Sequence, residues 1–370
     1  MINKNYLKKI FIFLTTHLFF FFYGKIQRVI KSNEDKRIKI KEIIFDQEFK
    51  YNIFTILTGR LYTDTVHDTA VILDNSIIKG PSFQLRDNIN SICSDNIVFK
   101  RGTPRVKKKF NGTVLSLLTG GGGNENYWHW LFDVLPRLEL AKTIYKEDEI
   151  DFFLFPDTKK NFQKQTLDIL KIDEEKRLSS KKVRHLKSDK LIVTDRPTIS
   201  IKNTTRDTWK EEVPIWIIKY LRKNFLKLEF NKSNNFPKKI YIDRSDAKAH
   251  HKKFRSIKNE NEIINYLISV GFKSLRIGNY NFIDQIKLFS GAKEIVGLHG
   301  GGFANLVFCE PNTKVLELKN ETTGNIIGDL AKKNKLNYDC IIGKNQNTQK
   351  HSQQGNIEIS INDLKNKLND

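Results

Sequence analysis

Glu294-Ile295-Val296-Gly297-Leu298-His299-Gly300-Gly301-Gly302-Phe303-Ala304-Asn305 sets a histidine and three glycines directly behind an apolar run. A short apolar stretch leads on to Pro311, and a second strand-like run follows, Lys314-Val315-Leu316-Glu317-Leu318. That order predicts strand, glycine turn, helix and strand, with His299 at the carboxyl end of the first strand. In an open α/β sheet ligands gather at that edge, and the amides that open a helix hold anions. An ordinary tight turn would use the same glycines. The pairing of His299 with Glu317 favours a site, because a turn needs neither residue. Gly300, Gly301 and Gly302 then let the backbone approach a phosphate. Glu317 alternates with Leu316 and Leu318 and so faces the other way, either as a solvated residue or to take hydrogen bonds from the two hydroxyls of a ribose. Asn305 either orders the helix or joins the ligand set.

The bulk of the chain narrows the classes. With 370 residues, 39% of them apolar and 29% charged, it has room for two folded domains and is not a disordered chain. Basic residues number 64 against 42 acidic, a net charge of +22 that calls for an anionic partner. The excess is mostly lysine spread along the chain, with no zinc finger, RNP-type strand or basic recognition helix, which disfavours nucleic acid. Cys93, Cys309 and Cys340 stand in unrelated contexts and in odd number, so a reducing compartment is expected instead of a disulfide scaffold. Asp-x-Asp, HExxH, GxxxxGK[ST] and GxSxG are all absent, and no metal is expected.

Residues 1–30 carry Lys8-Lys9 before an apolar run from Ile10 to Tyr23. The run is short for a membrane span and lacks the small-residue cleavage site of a signal peptide. It is expected to lie on a membrane or pack against the body. Residues 31–228 read as a first α/β domain. Its β-type runs include Ile38 to Phe45 and Thr69 to Ile78, and its last helix lies around Trp209 to Leu226. A polar linker follows at 229–237. Residues 238–345 read as a clearer second α/β series, and the tail 346–370 is expected to pack back on the first domain.

Two further places carry chemistry. Gly120-Gly121-Gly122-Gly123 precedes a helix from Tyr127 to Tyr145, with Leu131, Val134, Leu138 and Ala141 at helical spacing. His129, Asp133 and Arg137 recur on it at i, i+4 and i+8, a polar stripe on an apolar helix. Such a stripe either stabilises a domain interface or works as a pair, one member taking a proton from an acceptor hydroxyl. Trp128 and Trp130 point to different sides, one suited to a sugar ring and one to the core. The other place is Asp243-Arg244-Ser245-Asp246, directly after a strand. Arg244 sits at the same end as His299, and its guanidinium suits a diphosphate. Lys248, Lys252 and Arg255 either assist it or belong to a solvated loop, and His250-His251 lacks the carboxylate spacing of a metal site.

Taken in order, these stretches resemble the signature of glycosyltransferase family 61. The matching segments are Asn126-Tyr127-Trp128-His129-Trp130-Leu131-Phe132-Asp133-Val134-Leu135-Pro136-Arg137-Leu138, then Asp243-Arg244-Ser245-Asp246 with Asn259-Glu260, then Leu298 to Asn305 with Pro311 and Glu317. The resemblance runs from about Asn111 to Ile342. It implies an α/β, GT-B-type fold, two Rossmann-like domains facing an interdomain cleft. It also implies a metal-independent inverting transferase whose nucleotide-sugar donor, a UDP-sugar in characterised members, is held by the carboxyl-terminal domain. The implied acceptor is a glycan or lipid-linked glycan, since bacterial relatives serve capsular or other surface polysaccharide synthesis. The implied location is cytoplasmic, peripheral at the inner face of the cytoplasmic membrane.

By position, Arg244, His299, Gly300, Gly301, Gly302 and Asn305 would hold the donor diphosphate, and Glu317 the ribose. Asn126, Trp128 and Arg137 would meet the acceptor, with Asp133 preferred as base and His129 as its partner. Gly301 stands where the family usually has a small residue such as alanine. Two other classes compete: a nucleotide-sugar- or glycan-binding protein without transfer activity, and a basic nucleic-acid binder with salt-sensitive affinity.

Overall fold

The computed structural model describes residues 4–63, 69–82, 96–118, 126–203, 208–226, 236–245, 255–345 and 355–369. The glycine run 120–123, linker residues 229–235 and the loop 246–254, with Lys248, His250, His251 and Lys252, lie outside them. The protein is a mixed α/β chain of two separable units, Met1–Pro197 and Thr198–Asp370.

The first unit is built on a ten-stranded sheet. Part of it is parallel: His185–Thr194 pairs with Lys108–Ser116, which pairs with Phe152–Phe155, which pairs with Arg177–Ser179. Phe49–Leu57 and Arg60–Thr63 add to His185–Thr194 in antiparallel fashion. The run Thr69 to Ile78 folds as a hairpin, Thr69–Leu73 with Ser76–Ile78, because Asp74 takes a positive φ of 52° and turns the chain. Ile56, Leu61, Val71, Val114, Leu154, Leu186 and Leu191 form its core. The chain runs outward from Lys108–Ser116 through two strands, then returns to lay His185–Thr194 on the other side. That reversal creates a topological switch point between Lys108–Ser116 and His185–Thr194.

The second unit carries a five-stranded sheet, parallel throughout, in the order Lys273–Arg276, Lys239–Asp243, Glu294–Leu298, Lys314–Lys319, Asn337–Ile342. Helices Glu260–Ser269, Phe282–Gly291 and Ile326–Lys333 supply the crossovers. Its switch point falls between Lys239–Asp243 and Glu294–Leu298. The glycine turn opens a 3₁₀ helix, Gly301–Phe308, in which Phe303 donates to the Gly300 carbonyl at 3.1 Å. A Cβ on Gly302 would lie 3.1 Å from the Ile242 side chain, so a larger residue would press the turn against the sheet.

The helix expected around Trp209 to Leu226 is shorter, Ile215–Phe225, and Trp209 lies in strand Thr208–Glu212. Pro214 accounts for this, because proline pushes Val213 out of the helical region. Arg222 ties that helix to the end of the 3₁₀ helix within the same unit, donating to the carbonyls of Val307 at 2.9 Å and Cys309 at 2.7 Å. The carboxyl-terminal strand Gly355–Glu358 pairs with Arg255–Ile257, and Ile357, Ile359 and Leu364 share a core with Tyr241, Val296 and Leu316. The Asn259 amide clasps Ile359 in both directions, donating at 2.8 Å and accepting at 3.1 Å.

At the other end, Lys4–Tyr23 forms one helix. By length and composition alone Asn5–Tyr23 is long and apolar enough to cross a membrane, against the expectation of a run too short to span; a signal sequence or a membrane-proximal segment fits equally.

Candidate functional site

In the first unit the chain leaves strand Lys108–Ser116 and enters the His129 helix near the switch point. Asn126 caps that helix, its side-chain oxygen accepting from the Trp128 amide at 2.9 Å. Pro136 has no N–H for the Phe132 carbonyl, and its ring crowds that oxygen. The helix responds by widening over Trp130–Val134 into a π turn, where Leu135 donates to the Trp130 carbonyl at 3.1 Å. Such turns recur at functional sites. Arg137, fully buried, closes the gap by donating from Nε to the Asp133 carbonyl at 2.9 Å and from a terminal nitrogen to the Thr194 carbonyl at 2.7 Å. It works as a strut between helix and strand. Both tryptophans are buried: Trp130 donates to Thr166 Oγ1 at 2.9 Å, and Trp128 lies 4.5 Å from the Phe132 ring.

Within this scaffold His129 Nδ1 meets Asp133 Oδ2 at 2.6 Å, and Arg196 Nε donates to Asp133 Oδ1 at 2.9 Å. Burial raises the Asp133 pKa, but the Arg196 charge and the His129 hydrogen bond outweigh it and hold the group well below the usual carboxylate range. An ionised Asp133 can only accept, so Nδ1 of His129 is the donor. The lone pair of the neutral ring is then on Nε2. The His129 side chain is 29% exposed while Asp133 is sealed.

The second unit repeats the theme with other partners. The His299 amide continues the ladder by donating to the Leu318 carbonyl at 2.9 Å. Its ring Nδ1 hydrogen-bonds Glu317 Oε1, and Tyr338 donates to Glu317 Oε2 at 2.5 Å. Glu317 pairs in register with Gly297 and Cys340, on the face opposite Leu316 and Leu318. That face is covered as well, because parallel sheets carry structure on both sides, and Glu317 is fully buried.

Arg244 and Arg255 converge on the same backbone atom, donating to the His299 carbonyl at 3.1 and 2.9 Å. A Cβ on Gly300 would lie 3.3 Å from the Arg244 guanidinium, so glycine gives that arginine room to lie across the turn. Burial lowers the Arg255 pKa to about 10, with the nearby Arg244 charge adding to the effect. Burial likewise pushes the His299 ring below its ordinary pKa; Glu317 opposes this, while Arg255 and Lys319 reinforce it. Asn305 is buried and donates to Gln285 Oε1 at 3.1 Å and the Gly302 carbonyl at 3.3 Å, so it orders the turn.

Each unit therefore brings a histidine–carboxylate pair and arginine side chains to the switch point of its own sheet. Residues 127–316, more than half of the chain, match the family described as Glycosyltransferase 61. The chain belongs to glycosyltransferase family 61. Membership gives it a glycosyltransferase-type activity in general. Among curated proteins it is similar to the EGF domain-specific O-linked N-acetylglucosamine transferases of Rattus norvegicus, Canis lupus familiaris and Pan troglodytes. Each is 30% identical over 90 residues, covering 23% of this chain and 17% of the relative.

Two residues, Arg196 and Tyr338, were not singled out by the sequence in these roles, and a third, Arg255, was left open. Arg196, in Asp195-Arg196-Pro197, follows the carboxyl end of its strand just as Arg244 follows its own, and that shared position is a usable signal. Arg255 reads from sequence as either an aid to Arg244 or loop charge, and Tyr338 as an ordinary strand residue. Only the pairing of Arg255–Ile257 with the carboxyl-terminal strand and of Lys314–Lys319 with Asn337–Ile342 reveals them.

Proposed function

We propose that this protein is an inverting glycosyltransferase of the GT-B class that moves a sugar from a UDP-sugar to a hydroxyl of a glycan or lipid-linked glycan in surface polysaccharide synthesis. The observation that carries the reading is the convergence of Arg244 and Arg255 on the His299 carbonyl at the switch point of an all-parallel sheet. Two guanidinium groups beside the opening of a 3₁₀ helix suit a diphosphate, and they can take up leaving-group charge without a metal. Glu317, engaged by both His299 and Tyr338, is proposed to fix the His299 ring, with the ribose beyond it.

In this reading His129 Nε2 takes the proton of the acceptor hydroxyl. The acceptor oxygen attacks the anomeric carbon as the bond to the β-phosphate oxygen breaks, and the electron pair leaves with UDP. A single displacement inverts the anomeric configuration. Asp133 is the orienting carboxylate: it holds the ring's tautomer and stabilises the imidazolium that forms, and its low pKa makes it the poorer base. The proposed compartment is the cytoplasm, at the inner face of the membrane; Cys309 and Cys340 are both free thiols.

A screen of UDP- and GDP-sugars for hydrolysis and transfer, on wild type, His129→Ala and Arg244→Ala, tests the reading. Turnover of a UDP-sugar that both substitutions abolish is expected. Binding without turnover would make the protein a nucleotide-sugar-binding relative, and absence of both would end the transferase reading.

A further inference from the structure

The helix Lys4–Tyr23 has two unlike sides. Thr16 is buried, and Ile12, Phe19, Phe20 and Tyr23 are half-buried, all toward one side. The helix end is clamped to the first unit. Phe20 packs on Gly102, where a Cβ would come within 2.6 Å of its ring. The Lys107 amide donates to the Tyr23 hydroxyl at 3.0 Å, and Arg60 donates to the Tyr23 carbonyl at 3.2 Å. The opposite side is apolar and open: Leu7, Phe11, Leu14, Leu18, Phe21 and Phe22 recur at helical spacing, with Phe11 68% and Phe21 85% exposed. Water-facing phenylalanines in one stripe mark an interaction surface.

Charge identifies the partner. Lys8 and Lys9 are exposed on the two flanks of the open apolar side, which Tyr6, Ile10 and Phe13 widen. At its clamped end, the segment that holds Phe20 and Tyr23 adds exposed Lys100, Arg101, Arg105, Lys108 and Lys109, with Val106 73% exposed among them. An apolar stripe between basic groups matches the acyl boundary and headgroups of an anionic bilayer. A helix that spans would expose all its sides to acyl chains, but here protein holds one side of the last turn through Phe20 and Tyr23. We propose that Lys4–Tyr23 inserts flat into the surface of an anionic lipid bilayer through its Leu7–Phe22 stripe, rigidly joined to the first unit. This gives the mode of the membrane contact put forward above and is independent of the donor site.

Full-length protein is floated with phosphatidylcholine vesicles with and without phosphatidylglycerol. Binding is expected with the anionic vesicles, and a Phe11→Ser, Leu18→Ser, Phe21→Ser variant should partition on the order of a hundredfold less. Lys8→Glu with Lys9→Glu should weaken binding to anionic vesicles alone. Phe11→Trp and Phe21→Trp, read against the wild-type fluorescence background, should be quenched at equal depth by brominated lipids. No binding, binding indifferent to the stripe or to lipid charge, or a large difference in depth would each overturn the proposal. UDP-sugar turnover is measured on the same samples, so loss of one property is distinguishable from loss of the other.

Discussion

The two switch points carry the same pair in different surroundings. At each, a histidine donates from Nδ1 to a buried carboxylate. In the first unit the carboxylate's other partner is Arg196, a full positive charge, and the ring is 29% exposed. In the second unit the carboxylate is shared between the Tyr338 hydroxyl and the Lys319 ammonium, the latter at 3.7 Å, the ring is 7% exposed, and the arginines hold its carbonyl instead. The first arrangement leaves an accessible imidazole backed by a fixed negative charge, which suits proton transfer. The second buries the imidazole and sets two guanidinium groups on the carbonyl of the same residue, which suits anion holding. A histidine–carboxylate contact alone says nothing about role; both carboxylates carry a cationic partner, and what separates the two pairs is the exposure of the ring. His185 is the contrasting case, a buried ring that donates to the Arg105 carbonyl at 3.1 Å and is held neutral.

Breaking the first pair should have the largest effect. His129→Ala is expected to lower kcat by about 10²–10⁴-fold, the usual worth of a general base, with donor affinity unchanged. Asp133→Asn should follow it in steady-state assays. A variant that loses donor binding instead would erase the distinction between the two sites.

Next comes acid. Burial depresses the His185 pKa from 6.5 to about 4, so below pH 6.5 the unfolded chain binds the extra proton and the fold does not. Stability from this residue is present above pH 6.5 and is lost as pH falls toward 4, about 3 kcal/mol in all. The lowered pKa of His299 acts in the same direction. Urea denaturation of wild type and His185→Gln across that window checks it, and a pH-independent difference between them would contradict it.

Arg255→Ala should weaken UDP binding by about 10- to 100-fold, as expected when a charge-assisted hydrogen bond is lost, with kcat less affected. A titration followed by calorimetry reads this directly. The smallest effect belongs to Tyr338→Phe, which removes one hydrogen bond to Glu317. It should cost about 1 kcal/mol of stability in thermal unfolding, and a far larger loss of turnover would mean that the Glu317 carboxylate itself takes part in the reaction.

Local order made much of this readable. The i, i+4 spacing foretold the His129–Asp133 contact, and the strand-then-glycine order put His299 and Arg244 at one sheet edge. What stayed hidden depends on chain segments far apart in sequence. Arg196, Arg255 and Tyr338 reach their partners only through the order of strands, which hydrophobic pattern does not specify. Glu317 looks amphipathic by alternation, yet both faces of its sheet are covered. The π turn at Trp130–Val134 follows from Pro136, a local cause, but its effect of turning Arg137 into a strut needs strand His185–Thr194 beside it.

The most direct test of the division of labour is UDP affinity, measured by calorimetry on His129→Ala and His299→Ala side by side. The account predicts wild-type affinity for His129→Ala and a clear loss for His299→Ala. Equal losses in both, or loss only in His129→Ala, would contradict it.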